Sequence, residues 1–531
     1  MKRESAQYAL HLIERLTKIG VALSAERDLA KLLELIIDEA RNLTAADGGT
    51  LYILSDDGQF LDFAIVQNKT LDVRMGGTGG KINWPPVRLT DAQNNRNLAN
   101  VSAYAALTGE VVSIPDVYNA AGFNFEGTRE FDARTGYRSK SMLVVPMRNH
   151  EQEIIGVLQL LNAKDEGQNE IIAFSRESQM ITESFASQAA VALSQNRLIQ
   201  DLESLLEAFV KTIALAVDEK SPYTGGHIRR VADITMAIAD KINKTEEGPY
   251  SQVQFSEDQM KELRFAAWLH DLGKITTPEY IVDKATKLET IFDRMELVRA
   301  RGEIIIRDHE LTHLRKSLEA DREINPLPDS EEDYAQKFRE DMKFLTDVNT
   351  GAILLGREEV ARLQEIGARK SVHDGKTESF LTEDELQNLS IYRGTLTDKE
   401  RDIINNHAAV THKLLSQLPF SKKLKNVPDY AACHHEKLNG TGYPWGKKED
   451  EISLQARILA LADIFEALTA KDRPYKRANT ISEAISILSG MVKAQHIDAD
   501  LFKLFMNEKV YLDYARREMH PSQIDKTDFS D

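Results

Sequence analysis

Between Ser178 and Val217 the chain runs SQMITESFASQAAVALSQNRLIQDLESLLEAFVKTIALAV without a glycine or a proline. The stretch reads as helix throughout, and Leu198, Leu202, Leu205 and Phe209 fall on one stripe of it. A helix of that length leaves one domain and enters another. Its apolar stripe suits a homodimer seam and a mechanical coupler, the alternative being packing within one subunit. It divides a chain of 531 residues, already too long for a single hydrophobic core.

The formal charge is −17, which argues against a nucleic-acid polymer as partner, because duplex binding needs a basic face. A phosphate ligand would have to be met in a local pocket with its own cations. Cys433 is the lone cysteine, so neither a disulfide framework nor a thiolate zinc cluster is available. No apolar run approaches the length of a membrane span, and the opening MKRESAQYAL lacks the apolar centre of a signal peptide. The expectation is a cytoplasmic protein.

Residues 8 to about 43 place apolar residues at three- and four-residue steps, as in AKLLELIIDEARNL, and read as two helices. GGTLYILSDDGQFLDFAIV then sets short apolar runs on either side of DDG, a hairpin signal. A second strand pair follows in SMLVVPMRNHEQEIIGVLQLLNA, residues 141–163, after an irregular middle. This order describes an α+β sensor-like domain. ALTGEVVSIPDVY (106–118), FDARTGYRSKSMLVVPM (131–147) and IIGVLQLLNAKD (154–165) resemble a GAF domain over roughly residues 26–195. The resemblance leaves the ligand unknown, since such domains take cyclic nucleotides, haem, bilins or nothing known. Of the family's cyclic-nucleotide pattern, Asn162, Lys164 and Phe174 are present, and the alternative is that they simply shape the fold.

From residue 210 onward helical periodicity dominates with no clear strands, and the chemistry is concentrated there. SPYTGGHIRRVADI brings His227 into a helix, and WLHDLGKI supplies adjacent His270 and Asp271 with Lys274 three residues on. LTDKERDIINNH ends in His407, HHEKLNGTGYP sets His434 beside His435, and LALADIFEAL carries Asp463 inside an apolar run. A lone histidine is more often a hydrogen-bonded structural residue than a ligand. Asp463 is harder to dismiss, because a buried carboxylate needs a cation and no lysine or arginine stands within a helical turn of it. Adjacent His and Asp in a helix lie about a quarter turn apart, close enough to reach one site.

HDLGK at 270–274, HHEKLNGTGYP at 434–444 and ADIFEALTAKDRPYK at 462–476 resemble the HD-GYP family of metal-dependent phosphodiesterases. The resemblance implies an all-α domain with two, sometimes three, metal ions, usually iron or manganese, that hydrolyses cyclic di-GMP to pGpG and often onward to GMP. Carried over by position, it makes His227, His270, Asp271, His407, His434, His435 and Asp463 the metal ligands, with Asp271 bridging two ions. Lys274 would bring a catalytic positive charge to the phosphate, and Arg473, Lys476 and Tyr443 would contact substrate. Glu436 would orient a ligand, while Gly440 and Gly442 would allow the backbone angles of a turn that Pro444 stiffens. Cys433 is expected to pack behind the histidine pair.

The chain also departs from that family. Tyr223 stands where some members place a glutamate for a third ion, and Glu466 replaces a common aspartate, so a two-metal site is expected. Thr411 replaces a usual glycine. An insertion at about 289–393 reads as charged helices forming an antiparallel arm for dimerisation or for docking a protein partner; within it His309 and His313, at i and i+4, are a minor metal candidate. The expected plan is multidomain: an N-terminal helix at 1–25, the GAF domain at 26–178, a connecting helix at 179–211, the HD-GYP domain at 212–500 with its helical insertion, and a C-terminal helix and tail at 501–531. Beside a GAF-regulated cyclic di-GMP phosphodiesterase, two readings stay open. One is a catalytically weak cyclic-dinucleotide-binding docking protein, and the other an HD phosphohydrolase acting on a different nucleotide.

Overall fold

The computed structural model describes residues 2–91, 94–165, 167, 170–220, 225–319, 329–373, 376–470 and 478–529. The chain forms two compact units, Met1–Leu206 and Glu207–Asp531. Among the described residues no helix is long and apolar enough to cross a membrane.

In the first unit, helices Lys2–Ala25 and Leu29–Thr44 precede a sheet. The second helix starts where the Asp28 carboxylate accepts the Lys31 amide, and it buries Leu32, Ile36, Ile37 and Ala40 along one face. The strands are β1 (Ala46–Leu54), β2 (Phe60–Asn68), β3 (Val73–Gly76), β4 (Val87–Arg88), β5 (Val112–Ile114), β6 (Met142–Arg148), β7 (Ile154–Lys164) and β8 (Ile171–Ile172). They run in the order β3-β2-β1-β7-β6-β5, with β4 on β2 and β8 on β7. Alternation sorts the side chains of β6: Leu143 and Val145 join Ile36, Leu158 and Phe185 under the helices, whereas Met142 and Val144 join Tyr52, Leu61 and Val101 on the other face. The stretch that reads as irregular contains β3, β4, β5 and helices Val101–Thr108 and Glu126–Thr135, most of them too short for periodicity to announce.

Asn162, Lys164 and Phe174 are built into this fold. Asn162 accepts from the Lys140 amide and donates to Tyr137 Oη and the Arg138 carbonyl. Lys164 Nζ pairs with Asp47 at 2.6 Å, and Phe174 is buried in the core under the helices.

Helix Arg176–Asp218 extends beyond the expected span at both ends. Leu198, Leu202, Leu205 and Phe209 are each more than half exposed along it. Its last turns, within the second unit, bury Val210, Ala214 and Val217.

The second unit is built on helices His227–Lys244, Glu257–Leu269 and Leu454–Thr469. Ile234, Ile238, Leu263, Leu459 and Phe465 make their shared core. The segment from 501 onward, expected as a terminal helix and tail, supplies Leu501, Phe505 and Tyr511 to that same core. The insertion has a core of its own, in which Val298 and Ile305 of helix Met295–Glu319 meet Phe338 and Leu345 of helix Asp329–Asn349, together with Leu363 and Phe380. The expectation of no strands beyond residue 210 is corrected here, since Lys370–His373 pairs antiparallel with Lys376–Ser379. Both strands are short and polar, so no apolar alternation betrays them. Where the insertion leaves and rejoins the unit, Lys284 Nζ meets Glu400 at 2.8 Å and buried Lys287 donates to the carbonyls of Leu389 and Ile391.

Candidate metal centre

Five segments deliver the expected ligands. His227 opens its helix, and His270 and Asp271 close theirs before the 3-10 turn Leu272–Thr276. His407 opens helix His407–Leu415, His434 and His435 sit in a 3-10 turn, and Asp463 lies within Leu454–Thr469. His227, His270 and Asp271 form one group whose ligand atoms lie within 4.8 Å of one another, and His407, His434 and His435 form a second. Two carboxylates join the groups. Asp271 Oδ2 stands 3.5 Å from His227 Nε2 and 3.4 Å from His270 Nε2, while Oδ1 stands 3.3 Å from His407 Nε2 and 3.9 Å from His434 Nε2. Asp463 Oδ1 lies 3.3 Å from His227 Nε2 and 3.8 Å from His270 Nε2, and its Oδ2 lies 4.0 Å from His435 Nδ1.

The backbone sets the tautomers. Nδ1 of His270, His407 and His434 each faces the carbonyl three residues back, Ala267, Ile404 and Ala431, at 2.8, 2.5 and 2.5 Å. A carbonyl only accepts, so Nδ1 carries the proton and Nε2 presents a lone pair inward. These three Nε2 atoms and Asp271 Oδ1 are buried, and no hydrogen bond reaches them. Buried acceptors without donors are costly, and several aimed at one place are what a cation would satisfy. The residues present therefore fit a divalent metal pair.

Electrostatics agree. Burial lowers the imidazoles of His270 and His434, and it takes His435 down to about 3, so these rings are neutral. Burial alone would raise Asp271, yet Lys274 and the surrounding histidines hold it well below the usual carboxylate range. Asp463 is likewise held low against burial by His227. His227 differs: burial opposes its charge, but Glu466, Asp271 and Asp463 hold it well above an ordinary histidine. The place favours positive charge.

Residues outside the ligand set fix the frame. A Cβ on Gly273 would lie 1.9 Å from the His407 carbonyl, so only glycine lets the turn after Asp271 approach helix His407–Leu415. Thr411 locks that approach: its Oγ1 accepts the Gly273 amide at 2.8 Å and donates to the His270 carbonyl at 3.0 Å. Glu466 accepts from His227 Nδ1 at 2.5 Å and from Arg230 Nε at 2.6 Å. The sequence marks Thr411 and Glu466 only as departures and passes over Arg230; the signal was there, since Glu466 and Arg230 each lie one turn beyond a candidate ligand, Asp463 and His227.

Several expectations change. Lys274 Nζ sits 2.5 Å from Asp271 Oδ2, bonded to the carboxylate rather than standing free. Among the described residues no hydrogen bond joins Glu436 to a histidine; its two oxygens accept the amides of Trp445 and Lys447 at 2.8 and 2.9 Å and fold the loop back. Gly440 does need its φ of +77°, but Gly442 is required by space, because its Cβ would fall 2.4 Å from the Lys437 nitrogen. Tyr443 packs its ring 4.7 Å from that of His435. Cys433 is buried beside Ile452 and Ala456, and burial pushes its thiol up to about 11. In the insertion His309 stacks on Tyr334 at 4.2 Å, and neither it nor His313 belongs to a metal group among the described residues. Arg473, Lys476 and Tyr223 lie outside the described residues.

Sequence comparison matches residues 28–193 to the GAF domain and residues 224–341 and 383–501 to HD domains. The chain carries a GAF domain followed by an HD domain. Over 96 residues the chain is 47% identical to 3'3'-cGAMP-specific phosphodiesterase 3 of Vibrio cholerae, covering 18% of this chain and 20% of that protein. A cyclic di-GMP phosphodiesterase of Thermotoga maritima is 37% identical over 128 residues, 24% of this chain and 33% of its own. One from Pseudomonas aeruginosa is 35% identical over 113 residues, 21% and 26%. The chain thus spans between a fifth and a third of these curated relatives. A solved GAF domain from an Acinetobacter phosphoenolpyruvate-protein phosphotransferase aligns over 36% of this chain and 98% of its own, at 12% identity and a TM-score of 0.27.

Proposed function

We propose that this chain is a metal-dependent phosphodiesterase that hydrolyses cyclic di-GMP to pGpG and onward to GMP, with the GAF domain as its sensor. The observation that carries the reading is the pair of carboxylates, Asp271 and Asp463, each facing both histidine groups. His227, His270 and Asp271 would hold one divalent ion and His407, His434 and His435 the other, with the carboxylates shared; iron or manganese suits such a set. Bound there, the ions supply Lewis-acid charge to phosphoryl oxygens and lower the pKa of water. Asp271 and Asp463 stay ionised, and His270, His434 and His435 stay neutral, as ligands require. Lys274 Nζ, bonded to Asp271 Oδ2, stands where its charge would meet the phosphate. Tyr443 walls the centre on the His435 side. The exposed stripe of the connecting helix, Leu198, Leu202, Leu205 and Phe209, supports a homodimer formed along it.

A second substrate has a specific observation in its favour: the relative at 47% identity is named for 3'3'-cGAMP. Incubation of the full chain with manganese or iron(II) and each dinucleotide, followed by chromatography, tests both. The expected result is conversion of cyclic di-GMP to pGpG and GMP, abolished by chelation. Faster turnover of 3'3'-cGAMP would transfer the assignment to that substrate. Metal binding without turnover of either would leave the dinucleotide-binding protein as the reading.

A further inference from the structure

We propose that the C-terminal end of the connecting helix is a positioning element of the metal centre, acting through Asp218 and Lys220. The proposal rests on the metal-dependent reading above for its consequence, though not for its geometry.

Lys220 stands two residues beyond helix Arg176–Asp218. Its Nζ donates to the carbonyls of Lys274, Ile275 and Thr277 at 3.0, 2.7 and 2.5 Å, which uses all three ammonium protons. Those carbonyls lie at the C-terminal end of the 3-10 turn Leu272–Thr276 and its cap Thr277, where the peptide dipoles favour a cation; the Lys274 carbonyl also accepts the Thr277 amide at 3.0 Å. The same turn starts at Asp271 and carries Lys274. Two residues earlier, Asp218 reaches the next ligand segment: its Oδ2 accepts the Ile228 amide at 3.3 Å. Helix His227–Lys244 begins at Gly226, which has no side chain to cap it, so the connecting helix supplies a cap from a distance. Between these polar contacts, Ala214 and Val217 bury against Ile228, with Trp268 and Leu272 packed on them.

One helix end therefore holds the residue beside His227 and, through Leu272 and the carbonyls from Lys274 onward, the turn that follows Asp271. The 3.5 Å separation of His227 Nε2 and Asp271 Oδ2 lies between two segments gripped by the same turn. A rotation or slide of the helix moves one against the other. Nothing in the reaction chemistry needs Lys220 or Asp218 to touch substrate, so both are positioning residues.

The test compares Lys220→Met and Lys220→Arg with the parent in the full chain. Amide hydrogen exchange is read at 272–277 and in the remote helix 454–469, manganese affinity by calorimetry, and dinucleotide turnover as kcat and KM. In Lys220→Met, exchange at 272–277 should rise about tenfold with the remote helix unchanged. Manganese affinity should fall about tenfold, and kcat should fall with KM held. Lys220→Arg, which keeps the cation, should recover most of each loss. Unchanged exchange at 272–277, or an equal rise in the remote helix, overturns the proposal. If Lys220→Met does not fold, Asp218→Asn takes its place and the exchange is read at 227–230, where the same selective rise supports the proposal and its absence overturns it. A parent that neither binds manganese nor turns over a dinucleotide defeats the catalytic reading alone, and the exchange contrast still decides the positioning role.

Discussion

In the GAF domain Asp47 is buried beneath Lys164, Thr70 and Tyr137; in the HD unit Asp271 is buried beneath four histidines and Lys274. The two acids differ in how their surroundings are finished. Asp47 accepts from Lys164 and Thr70 on one oxygen and from Tyr137 on the other, and Asn162 in turn bonds Tyr137 Oη. Around Asp271, one carboxylate oxygen and three imidazole nitrogens have no hydrogen bond. A closed network is structure, and a convergent set of unmet acceptors is a site. The same rule explains why Asn162 and Lys164 match a ligand-binding pattern in sequence and yet serve the fold.

The sharpest break in that comparison is to remove each acid. Asp271→Asn should lower dinucleotide turnover by at least about 10³-fold, equivalent to roughly 4 kcal/mol, and manganese stoichiometry should fall in calorimetry. Asp47→Ala should instead destabilise the GAF domain by about 3 kcal/mol in urea and leave manganese binding in place. Burial would raise the Asp47 carboxyl, but Lys164, Thr70 and Tyr137 hold it below the ordinary 3.8. Its stabilisation is therefore present above that pH and lost as pH falls through the depressed folded value, so the substitution should also flatten the acid limb of GAF stability. Chelation comes next. An ion at a hundred times its dissociation constant stabilises its host by about 2.7 kcal/mol, so EDTA should lower the HD transition by that amount and leave the GAF transition where it was. Equal shifts in both would erase the distinction.

The legible part of the molecule follows the same division. HDLGK and HHEKLNGTGYP announce the centre because imidazoles and carboxylates are rare together and metal demands them at fixed places. Long helices and the two hairpins are visible from their periods. What stayed hidden is what three dimensions decide. Whether Asn162 faces a ligand or Tyr137 depends on β7 crossing the sheet, and whether Thr411 is a lapse from glycine or a lock depends on Gly273 lying against it. Lys220 could not be read at all, since its partners are carbonyls, which every residue has. The short polar strands at 370–379 gave no pattern either.

Thr411→Val tests whether a satisfied group can matter at an unsatisfied site. The substitution keeps the shape and strands the Gly273 amide and the His270 carbonyl, both buried beside the candidate ligands. A loss of about 2 kcal/mol in HD stability is expected, with manganese affinity reduced less than by His407→Ala. A neutral result would mean that the turn after Asp271 is held without it.

Glu436 is the smallest test and the one that places a carboxylate on either side of the comparison. It sits next to His435, and its position in the sequence suggests that it orients a ligand, but both oxygens are taken by the amides of Trp445 and Lys447. By the rule drawn from Asp47 it belongs to the fold. Glu436→Gln keeps one acceptor and turns an NH2 group toward the other amide, a mismatch worth about 1 kcal/mol that the loop absorbs by opening. The loop carries Tyr443, so KM for the dinucleotide should rise by about threefold while manganese affinity stays within about twofold of the parent. If manganese affinity instead drops as far as in His435→Ala, Glu436 acts on the ligand pair, and counting satisfied oxygens does not separate frame from site in this loop.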